Sequence, residues 1–214
     1  MRLFISDQWR EALEEAGLAS YELLMAYSGG KVFSKKSHST TRSCDLPDGR
    51  RIFIKQDTRT KFQQVLRALV KFRLPQTTTE KEHAHLVNAA NLGFRVPEVV
   101  AASQHEWWTW PRGGVLVEAA LSGVSLDKYA ADASIPLERR REAVEAARKV
   151  LLKIQDARLD WRRDCKPEHF FVQEDGGIAL LDVERLYPCR FRLSEKKRAA
   201  QLKVFHSLLP QDVK

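Results

Sequence analysis

The sequence predicts an α+β fold in two lobes: an antiparallel sheet carrying one inserted helix, then a short, mainly helical lobe. Three observations predict it. Short runs rich in β-branched and aromatic residues, separated by turn signals, fill the first half: Val32–Leu46, Arg51–Lys55, Val96–Ala102 and Gly114–Leu121. One helical stretch from Thr79 to about Leu92 interrupts them. Beyond Leu121 the period becomes helical, with Leu137, Val144, Ala147, Leu151 and Ile154 on one face. The lobes divide as 1–121 and 122–214, with the boundary between Leu121 and Asp127.

The elements have local reasons. Ser6 caps a helix that runs to about Ala16 and stops at Gly17, burying Trp9, Ala12, Leu13 and Ala16. Ser28-Gly29-Gly30 is a turn, and Val32–Leu46 holds one or two strands. Leu46-Pro47-Asp48-Gly49 is a hairpin turn, because Pro presets one dihedral and Gly accepts a positive one. From Thr60 to Arg73, an apolar stripe of Phe62, Val65, Leu66, Leu69 and Val70 lies among Lys61, Arg67, Lys71 and Arg73, and Leu74-Pro75 ends it. Thr79 caps the next helix with Glu82 at its third position, and Gly93 stops it. The segment "HEWWTWPRGG" joins two strands, and its Trp107, Trp108 and Trp110 either pack a hairpin or form a sugar or membrane platform. Ser134 caps the long helix, and Ser194 to about Leu209 is the last one.

Composition narrows the class. The 214 residues are 43% hydrophobic and 9% aromatic, enough for a globular core. No run is long enough to span a bilayer. Met1–Ile5 is too short for the apolar centre of a signal peptide, so a cytoplasmic location is expected. Cys44, Cys165 and Cys189 are odd in number and lack metal-ligand spacing, which reads as reduced thiols. A net charge of +8 favours anionic partners: nucleic acid, anionic lipid or a phosphorylated substrate. The cations are scattered and no base-reading motif is present, which puts nucleic acid last.

One stretch concentrates chemistry. Arg162-Arg163-Asp164-Cys165-Lys166-Pro167-Glu168-His169 follows the spacing of a protein-kinase catalytic loop, with His169 where an Asn usually stands. Asp182 lies eighteen residues beyond Asp164, after the apolar strand Ile178–Leu181. Phosphoryl transfer needs these types together. A carboxylate (Asp164) accepts the acceptor hydroxyl's proton, a hard oxygen ligand (Asp182) holds Mg²⁺, and an ammonium (Lys166) offsets charge on the group in flight. His169 is able to bind metal or brace the loop. Taken singly, each residue reads equally well as part of a solvated charged turn. Upstream, Lys55 ends a strand and Glu82 lies in the next helix, the pair that positions nucleotide phosphates in such a lobe; Glu80 competes with Glu82. Backbone groups near Glu118 and Ala120 are placed to meet adenine. No G-x-G-x-x-G is present, so Gly29-Gly30 or Ser37–Thr40 stands in for the phosphate loop.

On "GGKVFSKKSHSTTRSCDLPDGRRIFIK", "EKEHAHLVNAANLGFRVPEVVA", "RRDCKPEHFFV" and "ALLDVERLY" the chain resembles the bacterial lipopolysaccharide kinases of the inner core sugars, heptose or 3-deoxy-manno-octulosonic acid (Kdo). The resemblance spans roughly Gly30 to His206. It implies a protein-kinase-like two-lobed fold, ATP and Mg²⁺, and a lipopolysaccharide core or lipid-linked acceptor. It further implies Asp164 as catalytic base, Lys55 and Glu82 as the nucleotide-positioning pair, and His169 and Asp182 facing Mg²⁺. A His in place of the loop Asn and "DVER" in place of D-F-G are forms seen in that family. Arg162 departs from it by replacing the usual His of the H-R-D triplet. The basic stretch Thr60–Arg73, with Lys35 and Lys36, would rest on the anionic cytoplasmic face of the inner membrane. Two further readings stay open: a kinase-like protein that binds nucleotide or a partner without transferring phosphate, and a kinase for another small-molecule or protein acceptor.

Overall fold

Alternation along one strand organises the first unit. In β4 (Arg51–Asp57), Ile52, Ile54 and Gln56 point to one face and are buried, while Phe53 and Lys55 point to the other. The computed structural model describes residues 2–60, 70, 75–105 and 113–213. The Thr60–Arg73 stretch, apart from Thr60 and Val70, lies outside them, as do Trp107, Trp108 and Trp110. The chain divides into two compact units, one formed by residues 1–86 with 98–120 and one by 87–97 with 121–214.

The first unit is a six-stranded antiparallel sheet. Its strands are β1 (Arg2–Ile5), β2 (Val32–Lys36), β3 (Ser39–Asp45), β4, β5 (Val99–Gln104) and β6 (Gly114–Ala119), in the order β1-β5-β6-β4-β3-β2. β1 was not expected; Arg2–Ile5 is too short to show a pattern and is a strand because β5 offers it an edge. The run Val32–Leu46 resolves into two strands, and the turn between them is tied down by Thr58, whose amide donates to the His38 carbonyl at 2.9 Å. Gly30 is required: its φ is +68°, and a Cβ there would meet the Ser43 carbonyl.

Two helices cover the Ile52/Ile54 face. α1 (Asp7–Glu15) buries Trp9, Ala12 and Leu13. α2 (Tyr21–Ala26) is absent from the sequence reading, since six residues give too few apolar positions to show a period. Leu13, Leu18 and Leu24 pack with Ile52, Ile54, Val100, Val115 and Val117. The end of α2 is satisfied from the sheet: Gln56 Nε2 donates to the carbonyls of Leu24 (2.8 Å), Met25 (3.2 Å) and Tyr27 (2.8 Å). These are the orphan acceptors that every helix leaves at its C-terminal end.

α3 (Thr78–Asn91) begins earlier than expected. Its capping box is Thr77 with Glu80, not Thr79 with Glu82. The Glu80 amide donates to Thr77 Oγ1 at 3.1 Å, and the Thr77 amide donates to Glu80 at 2.8 Å. Both frames satisfy the sequence rule, and Thr79 is instead buried.

The second unit contains α4 (Leu126–Ala131), α5 (Leu137–Asp156) and α6 (Glu195–Ser207). It also holds a small sheet of β7 (Val124–Ser125), β9 (Phe170–Val172) and β10 (Ile178–Leu180), and a two-stranded ribbon of β8 (Leu159–Asp160) and β11 (Tyr187–Pro188). Ser134 does not cap α5. Its amide and hydroxyl both go to Asp132, and the helix starts at Leu137, which is exposed rather than on the buried face. Val144, Ala147, Leu151 and Ile154 do line that face. Residues 87–97 join this unit through Arg95, whose carbonyl accepts from Leu180 and whose guanidinium grips Asp175. Trp161, Phe170 and Phe205 form a buried aromatic column with successive centroids 5.3 Å apart.

We expect Gln56→Leu to lower stability by about 2 kcal/mol, because three helix-end carbonyls lose their buried donor. Urea denaturation of the variant measures this, with the midpoint falling and the slope unchanged.

Candidate active site

Lys55 places its ammonium on the sheet face opposite the Ile52/Ile54 core. Glu118 lies on β6, paired in register with Phe53, so it is the diagonal neighbour of Lys55 on the same face. Its side chain is buried and one carboxylate oxygen lies 3.0 Å from Lys55 Nζ. The second partner is Glu82 from α3, also within hydrogen-bond reach and buried. Burial works to lower the basicity of Lys55. The carboxylates of Glu118 and Glu82 outweigh it and hold the ammonium above its ordinary value.

Glu80, the competing carboxylate, is spent on the α3 cap and on His105, whose amide and ring nitrogen both lie 2.6 Å from it. Glu118 therefore meets Lys55 through its side chain, whereas the sequence suggested only backbone groups at Glu118 and Ala120. The Ala120 amide donates to the Arg51 carbonyl at 2.9 Å and is used within the unit.

In the second unit, Asp164, Lys166 and His169, which the sequence suggests as a catalytic loop, follow β8. Asp164 ends a tight turn whose amide returns to the Trp161 carbonyl. Both of its carboxylate oxygens face Arg185 Nη1, at 3.0 and 3.1 Å. Arg185 is a partner that the sequence reading missed; only its place three residues after Asp182 hinted at it. His169 follows Lys166 in a 3-10 turn (Pro167–His169), and its Nδ1 lies 2.6 Å from the Asp164 carbonyl. A carbonyl only accepts, so Nδ1 carries the hydrogen in this bond. Nε2 then faces Glu168 at 3.6 Å and Asp182 at 3.8 Å. A ring lone pair facing carboxylates offers a place for a bound cation. Lys166 pairs with Glu168 at 3.2 Å.

Asp182 adopts a left-handed conformation (φ 62°, ψ 40°), one of three non-glycine residues with positive φ among those described. Such a conformation is uncommon for a residue with a Cβ and persists only where surrounding structure fixes it. Here the 3-10 turn Val183–Arg185 follows at once, with Val183 buried as its anchor. A carboxylate oxygen of Glu184 lies within 4.8 Å of one on Asp182. This set fits a hard divalent cation: carboxylate oxygens are its preferred ligands, with the imidazole as a softer neighbour.

Cys165 joins the loop to α6. Its buried thiol lies 3.4 Å from the Arg162 carbonyl and 3.3 Å from that of Gln201. All three cysteines are free thiols.

Residues 25–211 match the lipopolysaccharide kinase (Kdo/WaaP) family. The chain belongs to that family. As a member it is a kinase, an ATP-dependent phosphotransferase. Its fold is similar to that of a solved structure described as WaaP in complex with acyl carrier protein, with a TM-score of 0.65 and 20% identity over 96% of this chain and 80% of that one. The likeness gives a protein-kinase-like fold, as the catalytic-loop spacing implied. No curated protein matches. No helix among the described residues is long and apolar enough to cross a membrane.

Two predictions follow from this geometry. Lys55→Ala leaves Glu82 and Glu118 buried without their ammonium and should cost about 3 kcal/mol, and adding Glu118→Gln should restore part of it. A double-mutant cycle by urea unfolding checks both values. Burial pushes the Cys165 thiol up to about 12 from 9.0. Its contribution to stability is full below 9.0 and is lost as pH rises toward about 12, because the unfolded chain ionises first. The urea midpoint should thus fall more steeply above pH ~9 in the wild type than in Cys165→Ala.

Proposed function

We propose that this kinase transfers phosphate from Mg-ATP to an inner-core sugar of lipopolysaccharide, heptose or Kdo, with Asp164 as the base. The observation that carries the reading is His169. One ring nitrogen binds the Asp164 backbone and the other faces Asp182, so one imidazole ties the base's loop to the metal carboxylate.

In this reading Asp164 accepts the proton of the acceptor hydroxyl. Arg185 takes one side of the carboxylate and holds its direction, and a carboxylate keeps further lone pairs for the incoming proton. Lys55, fixed by Glu82 and Glu118, binds nucleotide phosphate oxygens. Asp182, with Glu184 and His169, would hold Mg²⁺. Bound Mg²⁺ would supply charge neutralisation across the phosphate oxygens. Lys166 exchanges Glu168 for the phosphoryl group in flight. The family supports the sugar acceptor, and the basic composition suits an anionic glycolipid at the cytoplasmic face of the inner membrane.

The test uses purified protein, Mg-ATP and core lipopolysaccharide lacking the phosphate. Asp164→Ala should lower transfer about 10³-fold while nucleotide binding persists. Asp182→Ala should lose Mg-dependent ATP binding, measured by titration calorimetry with and without Mg²⁺. Transfer that survives Asp164→Ala, or ATP binding unaffected by Asp182→Ala, would remove the roles given to those residues.

A further inference from the structure

Arg162 is the residue that the family pattern leaves over, and its surroundings are built. It sits in a left-handed conformation (φ 54°), and its guanidinium stacks on the Tyr187 ring, 4.3 Å from the centroid. The Arg162 amide donates to Asp160 Oδ1 at 2.9 Å. That buried carboxylate also accepts from Gln201 at 2.8 Å and from Lys197 at 3.2 Å, both on α6. Asp160 thus pins the catalytic loop to α6 and orients the cations on each side.

Between the loop and α6 lies an open groove of about 760 Å³. Four cations line it: Arg162 and Arg163 from the loop, Lys197 and Lys203 from α6. Against them stands one carboxylate, Asp160, which already has three donors. A groove of this size suits a sugar-sized ligand. Arg163 and Lys203 are exposed. An Arg pair next to ammonium groups is the arrangement that binds carboxylate or phosphate oxygens. Arg163 directly precedes Asp164 in the chain, so the groove shares the loop that carries Asp164, although Asp164 itself does not line it.

We propose that this groove binds an anionic substituent, a carboxylate or a phosphate, of the acceptor saccharide and so anchors the saccharide on the loop that carries Asp164. Arg162 combines this left-handed backbone with the stacking of its guanidinium on Tyr187. The acceptor's identity rests on the proposed reaction; the groove's affinity for an anionic saccharide does not.

The test is a titration without nucleotide. The probe is core oligosaccharide released from lipopolysaccharide, used intact, dephosphorylated and carboxyl-reduced. Arg163→Ala/Lys203→Ala should weaken binding of the intact probe about tenfold, the loss expected for charged hydrogen bonds. Arg163→Lys/Lys203→Arg should recover most of it, and circular dichroism checks the fold of each variant. Lys128→Ala/Lys149→Ala removes the same charge from exposed sites outside the groove and should change nothing. The probe modification that weakens wild-type binding and erases the difference between variants names the anion. Four results overturn the proposal: no binding of the intact probe, an equal loss in the control pair, an unchanged affinity in the groove variant, or binding of poly-glutamate in place of the saccharide. Phosphate transfer measured in parallel keeps the two ideas apart. If Asp164→Ala still transfers phosphate, the proposed reaction fails while the titration still judges the groove.

Discussion

A lysine ammonium can leave water only beside carboxylates, and that constraint shapes the first unit. Lys55 sits at the end of β4, on the face away from the apolar core. Its two carboxylates come from different elements, Glu118 from the neighbouring strand and Glu82 from α3. The charge therefore couples sheet register to helix position. A one-residue slip of β4 against β6 would turn Lys55 toward Ile52's side and Glu118 away from it. The rotation of α3 is set in turn by its Thr77–Glu80 cap, which uses up one glutamate and leaves the other for the lysine.

Asp160 has a similar place in the second unit. A buried carboxylate needs donors, and it draws them from the loop backbone and from two residues of α6. Below the loop, Trp161, Phe170 and Phe205 give it an apolar floor, and the His169 ring packs near Trp161 at 6.0 Å. The loop is thus fixed from two sides, by hydrogen bonds to α6 and by ring packing. Asp164 and His169 owe their directions to those supports and to Arg185.

Much of this was legible in the sequence because its signals are local. Alternation in Ile52-Phe53-Ile54-Lys55, the Pro-Asp-Gly turn, the period of α5 and the spacing from Asp164 to His169 and Asp182 all involve neighbours along the chain. What escaped were features whose cause lies elsewhere. β1 exists because β5 has a free edge, and α2 because Gln56 and the sheet receive it. The starts of α3 and α5 were misjudged because several Ser and Thr residues qualify as caps, and tertiary contacts choose among them.

By itself the sequence determined the α+β class and the gathering of Asp164, Lys166 and His169 in one short loop with Asp182 after the next strand, since those follow from type and spacing. It also favoured Glu82 over Glu80 as the partner of Lys55. The tertiary structure supplies the physical reason, because the α3 cap and His105 consume Glu80. Only the tertiary structure brought Glu118 to Lys55, Arg185 to Asp164 and Lys197 to Asp160. Those pairs join residues 21 to 63 positions apart, and charge is matched across such distances by packing, which no local pattern records.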